Sequence, residues 1–163
     1  MAGKKVIPAE MMVEKVKAAV DARRNPGTVL VIRTDAVASE GFEEALRRGE
    51  LYAEAGADVL FIEAPATEAE IRMIPQRFSH PCLLNKSHSG KDIPLKVLEE
   101  MGYGIVIFPS VCLFGAIEGS YRMCKALMEE GVQHPVKEMP FGPGKLSQFL
   151  GLDRYRELEG KTT

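Results

Sequence analysis

Cysteine, long apolar runs and excess positive charge are all scarce in this chain. Cysteine occurs three times, at Cys82, Cys112 and Cys124, an odd number without metal-type spacing. A disulfide framework is therefore disfavoured, and reduced thiols packed in the core of a cytoplasmic protein are expected. The apolar runs fall far short of the roughly 20 residues that cross a bilayer, and no secretory apolar stretch follows Met1-Ala2-Gly3-Lys4-Lys5. The balance of 21 Lys and Arg against 23 Asp and Glu gives a net charge of −2 with no basic stripe, which argues against nucleic acid and membrane surfaces as partners. No internal repeat or low-complexity tract is visible.

What remains is an ordinary globular composition: 163 residues, 45% hydrophobic and 27% charged, enough for a core of its own. The organising stretch is Thr28 to Ala36, Thr-Val-Leu-Val-Ile-Arg-Thr-Asp-Ala. An apolar run of this kind predicts a strand buried on both faces, hence a parallel sheet covered by helices. The pattern recurs. Ala57 to Ile62 runs into Glu63, Cys82-Leu83-Leu84 into Asn85, and Gly104 to Phe108 into Pro109-Ser110. Ligands of parallel α/β folds bind at the carboxyl ends of the strands. Arg33, Asp35, Glu63, Asn85 and Ser110 are thereby candidate rim residues, Ser110 with a helix cap as the competing role.

Helical spacing fills the intervals. Ala9 to Arg24 presents Met12, Val13, Val16, Ala19 and Val20 on one face, with Pro8 in the first turn and Asn25-Pro26-Gly27 as the stop. Ala36 to Gly41 reads as a loop. Phe42 to Ala55 turns Ala45, Leu46, Gly49, Tyr52 and Ala53 inward and ends at Gly56. Thr67 and Glu70 form a capping box for Glu68 to Arg77, with a distortion expected at Pro75. Pro94 to Met101 and Val111 to Glu130 are further helices, and a polar loop from Lys86 to Asp92 carries His88. His80 and His134 are expected at the surface. His134 to Gly144 reads as a linker, before a last amphipathic segment from Lys145 to Leu158. The order is one helix, four βα units and an arm. It divides the chain into a βα domain over 1–133 and a C-terminal arm over 134–163.

These residues resemble the isocitrate lyase and phosphoenolpyruvate mutase superfamily, in its 2-methylisocitrate and dimethylmalate lyase branch. The resemblance is carried by Val6-Ile7-Pro8-Ala9-Glu10, Lys17 to Arg23, Arg33-Thr34-Asp35-Ala36, Glu54 to Asp58, Phe61-Ile62-Glu63-Ala64, Asn85 and Gly102 to Pro109. It implies a (β/α)8 barrel of which this chain is about half, four βα units with a leading helix and a helical arm. It also implies Mg²⁺ at the barrel mouth and C–C cleavage beside a 2-oxo or 2-hydroxy carboxylate through an enolate.

Carried over by position, Arg33 and Asn85 would bind substrate carboxylate, with Asp35 and Ser110 beside them. Glu63 and His88 would be the acid/base groups, and His88 stands where the family usually has a glutamate. The family's Cys-Gly-His loop and its metal-binding carboxylates are not found in this sequence. The expectation is therefore a natural short protein or a fragment, completed by a second copy or by a partner supplying the other half of the barrel. A metal-independent enzyme or a carboxylate-binding assembly module is the alternative, with Asp35 and Asp58 as the carboxylates nearest to taking over a metal.

Overall fold

The computed structural model describes residues 5–86, 93–131 and 143–160. The chain divides into two compact units, Met1–Leu113 and Phe114–Thr163.

The first unit opens with α1, Ala9–Ala22, which buries Ala9 and Val16 and packs Met12 and Val13 on the core. Arg23 leaves the helix in extended conformation. A tight turn follows, in which the Gly27 amide donates to Asn25 Oδ1 at 2.8 Å. Asp58 then fastens the chain into the sheet: its Oδ2 accepts from the Leu30 amide at 2.7 Å and from Arg23 Nη1 at 2.8 Å.

Strand β1, Val31–Thr34, is followed by α2, Ala36–Glu40, where the sequence suggested a loop. Ala-Val-Ala-Ser-Glu holds one helical turn because the buried Ala36 amide donates to Thr34 Oγ1, and Gly41, at φ 94°, ends it. Helix α3 is Phe42–Glu54 and β2 is Val59–Ile62. Gly49 lets α3 pack closely, since a Cβ there would lie 2.6 Å from the Phe78 ring. Helix α4, Glu68–Arg77, has the full Thr67/Glu70 capping box. Strand β3 is Leu83–Asn85, α5 is Leu95–Glu100 and β4 is Ile105–Ile107.

Pro75 sits inside α4 without ending it. Proline has no N–H to give to the carbonyl four residues back. That carbonyl belongs to Ile71, and it accepts instead from the Tyr103 hydroxyl at 2.8 Å. Burial pushes the Tyr103 pKa up, which keeps the hydroxyl a donor.

All the strands are parallel. β1 pairs with β2 from Val31↔Val59, β3 pairs with β4 from Leu83↔Ile105, and a parallel bridge Leu60↔Cys82 joins the two pairs. The strands thus follow one another in sequence order, as in an arc of a (β/α)8 barrel.

One sheet face carries the helices. Leu60, Ile62, Cys82 and Leu84 join Val16, Leu46, Tyr52, Ile71, Ile74 and Leu98 there in the main core. The other face holds only a small cluster of Val59, Phe61 and Leu83. Burial on both faces therefore applies to β2, whose four residues are all buried, and fails for β1 and β4. These two bound the arc, so Val31, Ile105 and Ile107 of the helix-free face stay exposed.

In the second unit, α7, Pro143–Phe149, and α8, Leu152–Glu159, replace the single segment expected, because Gly151 turns left-handed between them. Helix α6, Val111–Glu130, contains the division between the units and has no buried residue. Cys112 and Cys124 lie on it and are exposed, contrary to their expected core role, whereas Cys82 is buried. The expected linker falls mainly on residues 132–142, outside the described ones. Among the described residues no helix is long and apolar enough to cross a membrane.

Replacing Tyr103 by phenylalanine keeps the ring and strands the buried Ile71 carbonyl. Urea unfolding should then read a loss of about 1–3 kcal/mol, with little change in m-value. Unchanged stability would mean that the bond does not compensate for Pro75.

Candidate functional site

Strand alternation sets the site. Val31, Arg33, Val59, Phe61, Leu83 and Asn85 occupy one face by register, and continuing the register adds Asp35 and Glu63 at the carboxyl ends. Arg33 lies over the Phe61 ring, 5.0 Å from its centroid. Its fork is bidentate to Asp35, with Nε to Oδ2 at 3.0 Å and Nη2 to Oδ1 at 2.9 Å. The third nitrogen, Nη1, stands 3.5 Å from Glu63 Oε2. The hydrogen bonds that Arg33 donates to Asp35 raise its pKa against a smaller opposing effect of burial, so the guanidinium is a permanent cation.

Glu63 is anchored through its backbone, whose amide donates to the Thr34 carbonyl at 3.0 Å. Its Oε2 is buried and accepts no hydrogen bond among the described residues, and the same holds for Asn85 Oδ1. The 3.5 Å approach of Arg33 to Glu63 is an ion pair without hydrogen-bond geometry. A buried acceptor without a donor costs about 1–3 kcal/mol, and two on adjacent strand ends call for a donor beyond the described residues. The next residue, Ala64, has φ 56°. That left-handed conformation costs a non-glycine residue roughly 1–2 kcal/mol and turns the backbone sharply beside Glu63.

The structure thus brings Arg33, Asp35 and Glu63 into contact and sets Asn85 on the neighbouring strand end. Ser110 stands half-buried just beyond β4, and no hydrogen bond links it to these groups among the described residues. His88 lies outside the described residues. Asp58 is not a rim residue: it precedes β2, whereas Glu63 follows it, and it is committed to Leu30 and Arg23.

Lys5, Val6, Arg33, Asp35, Arg48 and Tyr52 line a cleft of about 470 Å³. The sequence reading missed Arg48. It sits at helical spacing with Ala45, Gly49 and Tyr52, on the inward face of α3, and that spacing was the available signal. Arg48 is buried, donating from Nε to Glu44 at 2.9 Å, from Nη2 to Glu40 at 2.9 Å and from Nη1 to the Ile7 carbonyl at 2.7 Å.

A divalent metal does not fit these residues alone. No group of three or more His, Cys, Asp or Glu side chains gathers among the described residues, and Asp35 and Glu63 already share one guanidinium.

Sequential parallel βα units with charged strand ends on one rim define half of a (β/α)8 enzyme barrel. The sequence matches the phosphoenolpyruvate phosphomutase family over residues 1–128. It is 36% identical over 161 residues to 2,3-dimethylmalate lyase of Eubacterium barkeri, covering 98% of this chain and 56% of that protein. It is 36% identical over 163 residues to 2-methylisocitrate lyase of Aeropyrum pernix, covering 99% of this chain and 52% of that one. The crystal structure of 2,3-dimethylmalate lyase, a PEP mutase/isocitrate lyase superfamily member, superposes with a TM-score of 0.81 at 30% identity, over 99% of this chain and 58% of that chain. The chain belongs to the PEP mutase/isocitrate lyase superfamily. It spans about half the length of these relatives.

The Arg48 cluster has a pH signature. Hydrogen bonds from Arg47, and secondarily from Arg48, outweigh desolvation and lower the Glu44 pKa from 4.5 to about 2. A depressed carboxyl contributes stability that is complete above its unfolded value and is lost as pH falls through the folded value. Calorimetry should show a melting temperature falling from about pH 4.5 towards 2, with a shallower fall in Glu44→Gln. Identical profiles would remove Glu44 from the acid response.

Proposed function

We propose that the chain binds a small 2-hydroxy or 2-oxo carboxylate at the strand-end rim and forms part of a carbon–carbon lyase site. One observation carries this reading: a fixed guanidinium stands beside the buried Glu63 Oε2, which, like Asn85 Oδ1 on the neighbouring strand end, accepts no hydrogen bond among the described residues. A carboxylate complements the first and a hydroxyl complements the second. Arg33 grips the carboxylate through its fork, which exchanges part of its bond to Asp35 for the ligand. Asn85 offers its amide N–H to the same anion. Glu63 accepts from the ligand hydroxyl and orients it, and in cleavage it takes the hydroxyl proton. Ser110 completes the rim from the β4 end, and His88, outside the described residues, is the second acid/base group.

Superfamily membership supports C–C cleavage as the chemistry. Mg²⁺, if the complete site uses it, is held by carboxylates from another chain segment, because Asp35 and Glu63 do not suffice. The second reading is a metal-independent enzyme or carboxylate-binding module, favoured by the full engagement of Asp35 with Arg33. The three free thiols suit a reducing cytoplasmic setting.

Malate and lactate should both raise the melting temperature, and Arg33→Ala should abolish both shifts. Arg33→Lys should restore little, because an ammonium lacks the fork. Shifts that persist in Arg33→Ala would overturn the assignment.

The helix-free face supports a partner. Val31, Ile105, Ile107 and Phe108 are exposed there or just beyond it, and β1 and β4 offer open edges. A second copy covers this face, and the arm over 134–163 packs on its neighbour. Light scattering at micromolar concentration should give at least twice the 17.9 kDa chain mass. A well-folded monomer would exclude this assembly.

A further inference from the structure

The cleft that Arg33 and Asp35 line has a second arginine in its wall. Arg48 is 5% exposed, and each nitrogen of its guanidinium is committed. Two of the three partners, Glu40 and Glu44, lie on its own helix or the one before it. The third, the Ile7 carbonyl, lies 41 residues away in sequence, on the segment that precedes α1. Among the side-chain hydrogen bonds of the described residues, this one ties that segment to α3. Lysine could not replace it, because a point charge on a flexible stem does not hold two carboxylates and a carbonyl in a fixed plane.

The tied segment carries Lys5, which lines the cleft with Arg33 and Asp35. Lys5 is exposed and makes no ion pair among the described residues. Arg33 is bound to one carboxylate and approached by another, so Lys5 brings the cleft positive charge that these carboxylates do not neutralise. An anion with a single carboxylate is served by Arg33, and a second carboxylate has Lys5 as its counter-ion.

We propose that Arg48 is a positioning residue that holds the Lys5–Ile7 segment against the cleft, so that Lys5 and Arg33 grip the two carboxylates of one dicarboxylate ligand. This rests on the carboxylate reading of Arg33 and adds the second anchor. Without the Arg48 bond, the segment keeps its composition and loses its place. Binding must then order it, and the second carboxylate gains less from Lys5.

The test uses the full chain, with malate as the dicarboxylate and lactate as the 2-hydroxy monocarboxylate. In calorimetric titration, Lys5→Gln should weaken malate about tenfold, the scale of one charge-assisted contact, and leave lactate within about twofold. Arg48→Lys should reproduce that selective loss, and the double variant should add nothing to it, because both changes remove one contact. Glu40→Gln loosens Arg48 without touching the core and serves if Arg48→Lys folds poorly.

Hydrogen exchange reads the positioning directly. Amides of residues 6–12 should exchange faster in Arg48→Lys, while those of α3 do not. Arg33-dependent malate binding that is indifferent to Lys5 and Arg48 would overturn this proposal and leave the carboxylate reading standing. Failure of the wild-type chain to bind either acid would overturn that reading together with the Lys5 anchor. Unchanged exchange at 6–12 would overturn the role of Arg48 in either case.

Discussion

In a strand, neighbouring side chains point to opposite faces, and here that alternation divides structure from chemistry. Even-numbered positions of β1 to β4 point to the helices: Thr34, Leu60, Ile62, Cys82 and Leu84 are all buried there. Odd-numbered positions point to the helix-free face, and at the carboxyl ends they become Arg33, Glu63 and Asn85. A slip of one residue in any pairing would send a charge into the core and a core residue to the rim. The parallel register from Val31↔Val59 to Asn85↔Ile107 is thus one constraint on both folding and site assembly.

The two ends of the sheet use the same side-chain chemistry differently. At the amino ends, Asp58 accepts from a backbone amide and from Arg23, and these bonds hold its pKa below the ordinary carboxylate range. Its hydrogen bonds stay within the chain, so it stabilises the entry to the sheet. At the carboxyl ends, Glu63 has a buried oxygen with no hydrogen-bond donor among the described residues, and the backbone bends into a left-handed residue directly after it. Unmet polar capacity and local strain on one rim are what a ligand site requires and what a purely structural strand end avoids.

Much of this was legible in the sequence. Continuous apolar runs ending in polar residues marked the four strands, and Thr67 with Glu70 marked a helix start that the structure reproduces. The resemblance to the superfamily gave the barrel arc. Where the reading failed, the cause was non-local. Ala36 to Glu40 lacks the length to declare a helix, and only the Thr34 hydroxyl and Gly41 make it one. The exposure of Val31 and Ile107 follows from lying at the ends of the arc, which a run of apolar residues does not encode. Cys112 and Cys124 sit among apolar residues in sequence, yet no residue of their helix is buried. Arg48 hid because a charged residue at an inward helical position reads as a break in the pattern, although a buried charge with carboxylate and carbonyl partners completes it.

Arg33 and Arg48 make the distinction concrete. Both are arginines paired to two carboxylates, and both have a raised pKa. For Arg33 the Asp35 bond is the leading cause. For Arg48 burial opposes ionisation most strongly, and the groups packed around it, Tyr52, Glu44 and Glu40, overcome it. Pair counting alone would give them the same role. Exposure separates them: Arg48 is almost wholly covered, while Arg33 stays substantially open over the Phe61 ring, with one nitrogen in a loose 3.5 Å approach to Glu63. A buried, fully bonded guanidinium can exchange a partner only by leaving a charge unpaired in the core. An open one can trade a carboxylate of the chain for a carboxylate of a ligand at little electrostatic cost, since like replaces like. The rim arginine is therefore fitted to bind and the core arginine to hold, and the cleft between them joins the two.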